Sequence, residues 1–232
     1  MSPAVGSTGS RGGPRALRLV VVAASGQVGQ HVVRLATERG TEVQALARTP
    51  AKVPAGAATV ALDLAATTPA AVAALLRPGD VVVSCLGAAH RSDVGIATAG
   101  TRLLLAAMAE AGTRRIITVS AAPVAGLLPD ARRETGEDVV TRRLLNPVLR
   151  RVLRDAYADL AAMETVLRAS STEWTVVRPP RLTNGSLTGR YRTAVGRNLP
   201  RGRSISRADL AHLLIRVADD PRTVWQPVAV AY

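Results

Sequence analysis

The sequence predicts an α/β protein, a doubly wound parallel sheet with a small C-terminal lobe. Three observations carry that expectation. The apolar run over 17–24 is rich in valine and does not alternate with polar residues, as a strand covered on both faces requires. A glycine turn, Ser25-Gly26-Gln27-Val28-Gly29, follows at once, and apolar residues then return at helical spacing at Val28, Val32, Val33, Leu35 and Ala36. Strand-like and helix-like stretches keep alternating as far as residue 120, the pattern of parallel strands joined by crossover helices.

The elements follow in order. The first helix stops at Gly40, and 42–47 reads as a second strand, with 48–52 as the loop after it. A short third strand over 59–62 is closed by Asp63, and Pro69 opens a helix through residue 76. The mostly apolar 81–85 is a fourth strand, the loop 87–93 leads into a helix over 94–111 that ends at Gly112, and 115–120 is a fifth strand. Residues 121–146, with Pro, Gly and many charges, read as an irregular excursion before a long helix from Pro147 to about residue 170. A sixth strand over 174–178 ends at Pro179-Pro180, and 181–204 is polar and glycine-rich with a short strand at 191–195. Ser206-Arg207-Ala208-Asp209 resembles a capping box at the start of a helix to residue 218, and 228–231 is a last strand. The whole is a Rossmann-type sheet over 16–232, with a lobe made mainly of 121–146 and 181–204 and a disordered tail over 1–15.

The totals narrow the function. At 47% apolar the 232 residues can fill a core, but alanine and valine dominate, with no Phe, two Trp and three Tyr, so few rings are left to stack a flat ligand. A net charge of +13 suits an anionic partner, yet no helix-turn-helix, zinc or RNA-reading motif accompanies it, which argues against nucleic acid. The lone cysteine, Cys85, excludes an internal disulfide and reads as a small buried hydrophobe, and the three histidines show no metal-ligand spacing. No membrane-spanning run and no signal peptide is present, so the expectation is a cytoplasmic protein acting on a small molecule, of unstated oligomeric state.

The residues that could carry chemistry fall at strand ends. A glycine turn between strand and helix leaves amides and a helix dipole facing an anion: Gly26 admits a pyrophosphate and Gly29 brings the helix onto its strand. The alternative is a tight turn with no ligand. Arg48 stands 19 positions after Gly29, where an NAD site keeps an acid for the ribose hydroxyls; an arginine there can receive a 2′-phosphate, with Lys52 as a second charge, so NADP (NADPH) is the expected cofactor, the alternative being a solvated basic loop. Asp63 either accepts from an adenine amino group or caps a turn. Gly87, between Leu86 and Ala88, lets the backbone pass under a cofactor or is a turn glycine. Ser120, ending the fifth strand, either hydrogen-bonds a substrate carbonyl or hydroxyl near the nicotinamide or is a turn serine at a strand end. Tyr157 lacks the lysine four positions on that would activate it, Ala161 standing there, and so reads as core or rim more than as a proton donor.

With these residues in view, the chain from 17 to 232 resembles the atypical short-chain dehydrogenase/reductases that include the NmrA-like proteins, and more closely the flavin (biliverdin-IXβ) reductases. Ala23-Ala24-Ser25-Gly26-Gln27-Val28-Gly29 stands for that family's Gly-Ala-Thr-Gly-x-x-Gly, with Ala23 where the family has glycine. The segment 45–52 matches the arginine-bearing end of strand two, and Asp63-Leu64 and Leu86-Gly87-Ala88 match adenosine and ribose contacts. Val177-Arg178-Pro179-Pro180-Arg181-Leu182 is similar to the segment that meets the nicotinamide, and 187–191 and 203–210 to the substrate-lobe loop and final helix start. The resemblance implies an NADPH-dependent reductase; Ser120, Tyr157 and Arg181 are its candidate catalytic residues. Arg181 replaces a histidine of the mammalian flavin reductase, and suits an anionic substrate better than proton donation. A non-catalytic NADP(H) sensor of the NmrA-like kind and a tailoring enzyme of specialised metabolism remain alternatives.

Overall fold

A computed structural model describes residues 17–88, 90–128 and 147–232, with the side chains of residues 91 and 147–153 left aside. The expectations for the tail over 1–15 and for most of the excursion over 121–146 lie outside the described residues.

Eight strands form one sheet. In chain order they are β1 (Arg18–Val22), β2 (Glu42–Ala47), β3 (Ala58–Ala61), β4 (Val81–Ser84), β5 (Arg115–Val119), β6 (Glu173–Arg178), β8 (Arg192–Val195) and β10 (Gln226–Ala231); two more, β7 (Arg181–Thr183) and β9 (Ser204–Ser206), pair with each other. The order across the sheet is β3-β2-β1-β4-β5-β6-β10-β8, all neighbours parallel except β8 against β10. The helices are α1 (Gln27–Glu38), α2 (Pro69–Ala73), α3 (Ile96–Ala111), α4 (Pro147–Arg168) and α5 (Arg207–Ala218). This is a Rossmann fold: the order reverses at β1, and the crevice beside that reversal is where open parallel sheets bind ligands.

The apolar run over 19–22 of β1 explains itself in the packing. Leu19 and Val21 face one apolar layer together with α1 and α5, while Val20 and Val22 face the other with α2, α3 and α4. Each residue of the strand is therefore buried whichever way it points, and alternation would place polar groups in a core. Fully burying a valine or leucine in this way stabilises by about 1.5–3 kcal/mol each. Small side chains let α1 approach its strand: a Cβ on Gly29 would lie 2.4 Å from the Ala23 carbonyl oxygen.

Some boundaries differ from expectation. β1 ends at Val22 because Ala23 turns out of the strand with a left-handed φ of 59°, the conformation a glycine would adopt freely. α3 begins at Ile96, since Gly95 is left-handed and the residues before it form a short turn of 3₁₀ helix. The parallel pair β7–β9 was not foreseen; three-residue strands are too short to show a period.

At the amino edge of the sheet, two arginines are buried and hydrogen-bonded within the protein. Arg18 donates to Asp80 at 2.6 Å and to Gln44 at 3.0 Å. Arg115 donates to the carbonyls of Glu173 and Val217 and to the Thr223 hydroxyl, and burial lowers its pKa to about 10. These account for part of the basic composition without any ligand, and leave the opposite, carboxyl edge for function.

Candidate functional site

Seven parallel strands end at the carboxyl edge, and nearly every residue singled out from the sequence lies there. The turn after β1 is held by Gly26 N–H donating to Ala23 O at 2.9 Å and Ala24 N–H donating to Leu46 O at 3.1 Å. Gly26 is the N-cap of α1 and brings no side-chain cap, so the helix starts with the amides of Gln27, Val28 and Gly29 unclaimed among the described residues. The Gln27 side chain and Gly26 are exposed at that point, and Ser25 is half-buried beside them.

Arg48 follows β2 directly and is exposed, with its guanidinium 3.8 Å from the Asp93 carboxylate. Lys52 is exposed in a 3₁₀ turn four residues on. Arg48, Asp63, Leu64 and the segment Ser92–Ile96 line one cleft of about 270 Å³, closed at its base by Gly100 of α3. Two distant predictions, Arg48 and Asp63-Leu64, are thus brought to one wall. The wall is close-packed, since a Cβ on Gly100 would fall 2.6 Å from the Leu86 side chain. Asp63 also caps its own turn, accepting from Ala65 N–H at 3.0 Å, which leaves its second oxygen for another partner.

Gly87 is exposed and a Cβ there would meet no protein atom within 4 Å, so packing does not demand a glycine at this place. Beside it Leu86 is buried and Ala88 half-buried. Burial pushes the Cys85 thiol up to about 12, which keeps it protonated and unreactive at neutral pH.

The candidate catalytic residues are more constrained than the sequence suggested. The Ser120 hydroxyl donates to Glu164 at 2.6 Å, and both are buried. Glu164 is also held by the Arg178 guanidinium, which is 1% exposed at the end of β6. The hydroxyl proton of Ser120 is therefore committed, and what Ser120 offers outward is a lone pair. Tyr157 is half-buried, and burial raises its phenol above the ordinary value, as expected without a neighbouring lysine. Pro179 is buried, and its carbonyl accepts from Ala122 N–H at 2.9 Å, fastening the start of the excursion to the end of β6. Pro180 is half-buried and Arg181 exposed, opening the lobe.

Two carboxylates hold this edge in place: Asp209, which the sequence marked only as the acid of a capping box, and Asp159, which it did not mark. Asp159 of α4 accepts from the amides of Gly95, Ala97 and Thr98 at 3.0–3.1 Å, capping α3 from another helix because Gly95 has no side chain to do so. Asp209 accepts from Thr188 and Gly189 amides, the Thr188 hydroxyl and the Tyr232 phenol, and so ties the loop 187–191 to the start of α5. The capping box is half realised: Ser206 accepts from Asp209 N–H at 2.9 Å, but the Ser206 amide donates to Tyr232 Oη instead of to the acid. An acid three residues after the cap serine was the signal for Asp209; nothing local marks Asp159, which reads as one more polar residue on a helix.

A sequence-family profile described as NAD(P)H-binding matches residues 23–221, most of the chain and all of this edge. The chain belongs to that NAD(P)H-binding family. Solved structures agree. A Burkholderia pseudomallei protein described as a candidate exported protein is 26% identical, covering 93% of this chain and 100% of its own, with a TM-score of 0.76. A Streptococcus pneumoniae protein described as a candidate NADH-flavin reductase is also 26% identical, covering 93% and 99%, with a TM-score of 0.74. An Escherichia coli anaerobilin reductase, ChuY, at 20% identity, 92% and 96% coverage and a TM-score of 0.71, shares the fold. No curated protein sequence matches.

The NAD(P)H-binding edge fits a dinucleotide on observations of its own. Free amides open α1, a glycine is packed to contact beneath them, another glycine lies open after β4, and a guanidinium stands over the cleft beyond β2. Among the described residues no cluster of His, Cys, Asp and Glu could hold a metal, and no helix is long and apolar enough to cross a membrane.

Proposed function

We propose that this protein is an NADPH-dependent oxidoreductase that passes hydride to a small conjugated acceptor: a flavin, a quinone-like compound, or an enone or carbonyl of specialised metabolism. The observation that carries the reading is Arg48, a cation at the carboxyl end of β2 overlooking the cleft that Asp63 and Leu64 also line. The amides of Ser25 to Gly29 hold the pyrophosphate, Arg48 and Lys52 the 2′-phosphate, and Asp63 and Leu64 the adenine. Leu86, Gly87 and Ala88 pass beneath the ribose, and Pro179, Pro180 and Arg181 border the nicotinamide. A bound reduced nicotinamide supplies the hydride.

The protein's own groups position the acceptor. Ser120, its proton held by Glu164, accepts from an N–H or O–H of the acceptor. Arg181 and the lobe around it attract anionic groups: residues 181–207 contain seven arginines and no acid. Tyr157 stays neutral and borders the site. Such a set provides little acid catalysis, which is tolerable when solvent can protonate the reduced acceptor, as with an isoalloxazine, and a handicap for a simple ketone. The described relative from Streptococcus pneumoniae supports a flavin acceptor, although its name specifies NADH.

The test is NADPH and NADH oxidation with FMN, riboflavin and a quinone. Arg48→Ala should weaken NADPH at least tenfold more than NADH; equal weakening would count against the 2′-phosphate assignment. The committed proton of Ser120 and the unactivated Tyr157 favour one second reading, an NADP(H)-binding sensor without turnover. Tight NADPH binding with no acceptor reduced would decide for it.

A further inference from the structure

The cation on which that coenzyme reading rests is not free. Arg48 faces Asp93 across the cleft, Nη1 to Oδ1, at 3.8 Å. The two side chains differ in freedom: Arg48 is 58% exposed and Asp93 only 13%. Asp93 is fixed at its other oxygen, Oδ2, which accepts from His90 N–H at 3.1 Å. Two residues later the same wall is fastened to α4, where Asp159 takes the amides of Gly95, Ala97 and Thr98. A ligand that draws Arg48 away therefore leaves the Asp93 carboxylate behind, still lining the cleft.

We propose that Asp93 is a specificity-determining residue, an internal counter-ion that competes with the ribose 2′-phosphate for Arg48 and sets the protein's discrimination between NADPH and NADH. This rests on the proposal that the cleft takes the adenosine half of the coenzyme. A 2′-phosphate must break the Arg48–Asp93 pair and then lie near a retained carboxylate, so both effects oppose NADPH. A 2′-hydroxyl carries no charge to be repelled and can donate to Asp93 Oδ1. The arginine alone signals NADPH; the pair makes a dual-specificity site with the preference held down.

The test is isothermal titration of the full-length protein with NADPH, NADH, 2′,5′-ADP and 5′-AMP. Asp93→Asn keeps an oxygen for His90 N–H and removes the charge. It should tighten NADPH and 2′,5′-ADP about three- to tenfold, the scale of a partly exposed ion pair plus a like-charge contact, and leave NADH and 5′-AMP within about twofold or weaker. Asp93→Ser, with an unchanged melting temperature as the control for folding, should shift the ratio the same way. The shift should be lost in an Arg48→Ala background. NADPH binding unchanged or weakened by Asp93→Asn, an equal gain for NADH, or a shift that persists without Arg48 would each overturn the assignment. If Arg48→Ala itself fails to separate NADPH from NADH, the coenzyme reading fails; if Arg48→Ala separates them and Asp93→Asn does not, only the counter-ion does.

Discussion

Ala23 occupies a left-handed backbone position, φ 59°, at the mouth of the turn that opens α1. An L-residue pays for that conformation through the clash of its Cβ, so Ala23→Gly should stabilise the protein by about 0.5–1 kcal/mol, read as a higher urea midpoint at unchanged m-value. Gly29 is the opposite case. Its missing Cβ is where the Ala23 carbonyl lies, and Gly29→Ala should destabilise by about 2–3 kcal/mol and weaken either coenzyme as α1 is pushed from its strand. Gly87 separates packing from binding. With open space around it, Gly87→Ala should change stability by less than about 0.5 kcal/mol while lowering NADPH affinity, if the backbone there runs against the cofactor. Unchanged affinity would return Gly87 to an ordinary turn.

At the scale of elements, the carboxylates that join one helix or loop to another carry the arrangement of the edge. Asp159→Ala removes the cap of α3 and should cost about 1–2 kcal/mol, while loosening the wall Ser92–Ile96 and weakening NADPH and NADH alike, measured by titration and thermal melting. Asp209 joins α5, the loop 187–191 and the C-terminal Tyr232. Burial pushes its pKa up, but the hydrogen bonds from Tyr232, Gly189 and Thr188 outweigh that and hold it below the ordinary carboxylate value. A depressed folded pKa means stability that is fully present above about pH 4 and is lost as the pH falls through the folded value. Urea midpoints for the wild type and Asp209→Asn should therefore differ widely at neutral pH and converge as the pH falls below the ordinary carboxylate range; a constant gap would show that the charge of Asp209 is not what holds the loop.

For the whole molecule, the charge is the dominant quantity. At +13 the protein attracts anionic coenzymes at long range, so NADPH association measured by stopped flow should slow markedly as ionic strength rises. The two-sided core shows how composition and architecture correspond. Alanine and valine are what let α1 and α5 on one face, and α2, α3 and α4 on the other, lie close to eight strands. The succession of strands and helices up to β6 was legible because each unit repeats a local rule: an apolar run, a turn, a helix with one apolar face. The antiparallel β8 beside β10 and the small β7–β9 pair were not, since their neighbours come from distant parts of the chain.

What the sequence determined by itself is whatever short-range periodicity and turn chemistry encode: the alternation of parallel strands and helices, the glycine turn before α1, the arginine after β2. What only the tertiary structure decided is the pairing of charges and hydroxyls across the carboxyl edge. Ser120 meets Glu164, Arg48 meets Asp93, Asp159 meets the start of α3 and Asp209 meets the loop over 187–191. A carboxylate on a helix has the same sequence signature whether it faces water or a buried amide. Its partner is chosen by the packing of elements far apart in the chain, and that choice turns a list of plausible groups into one with its proton committed and its cation already engaged.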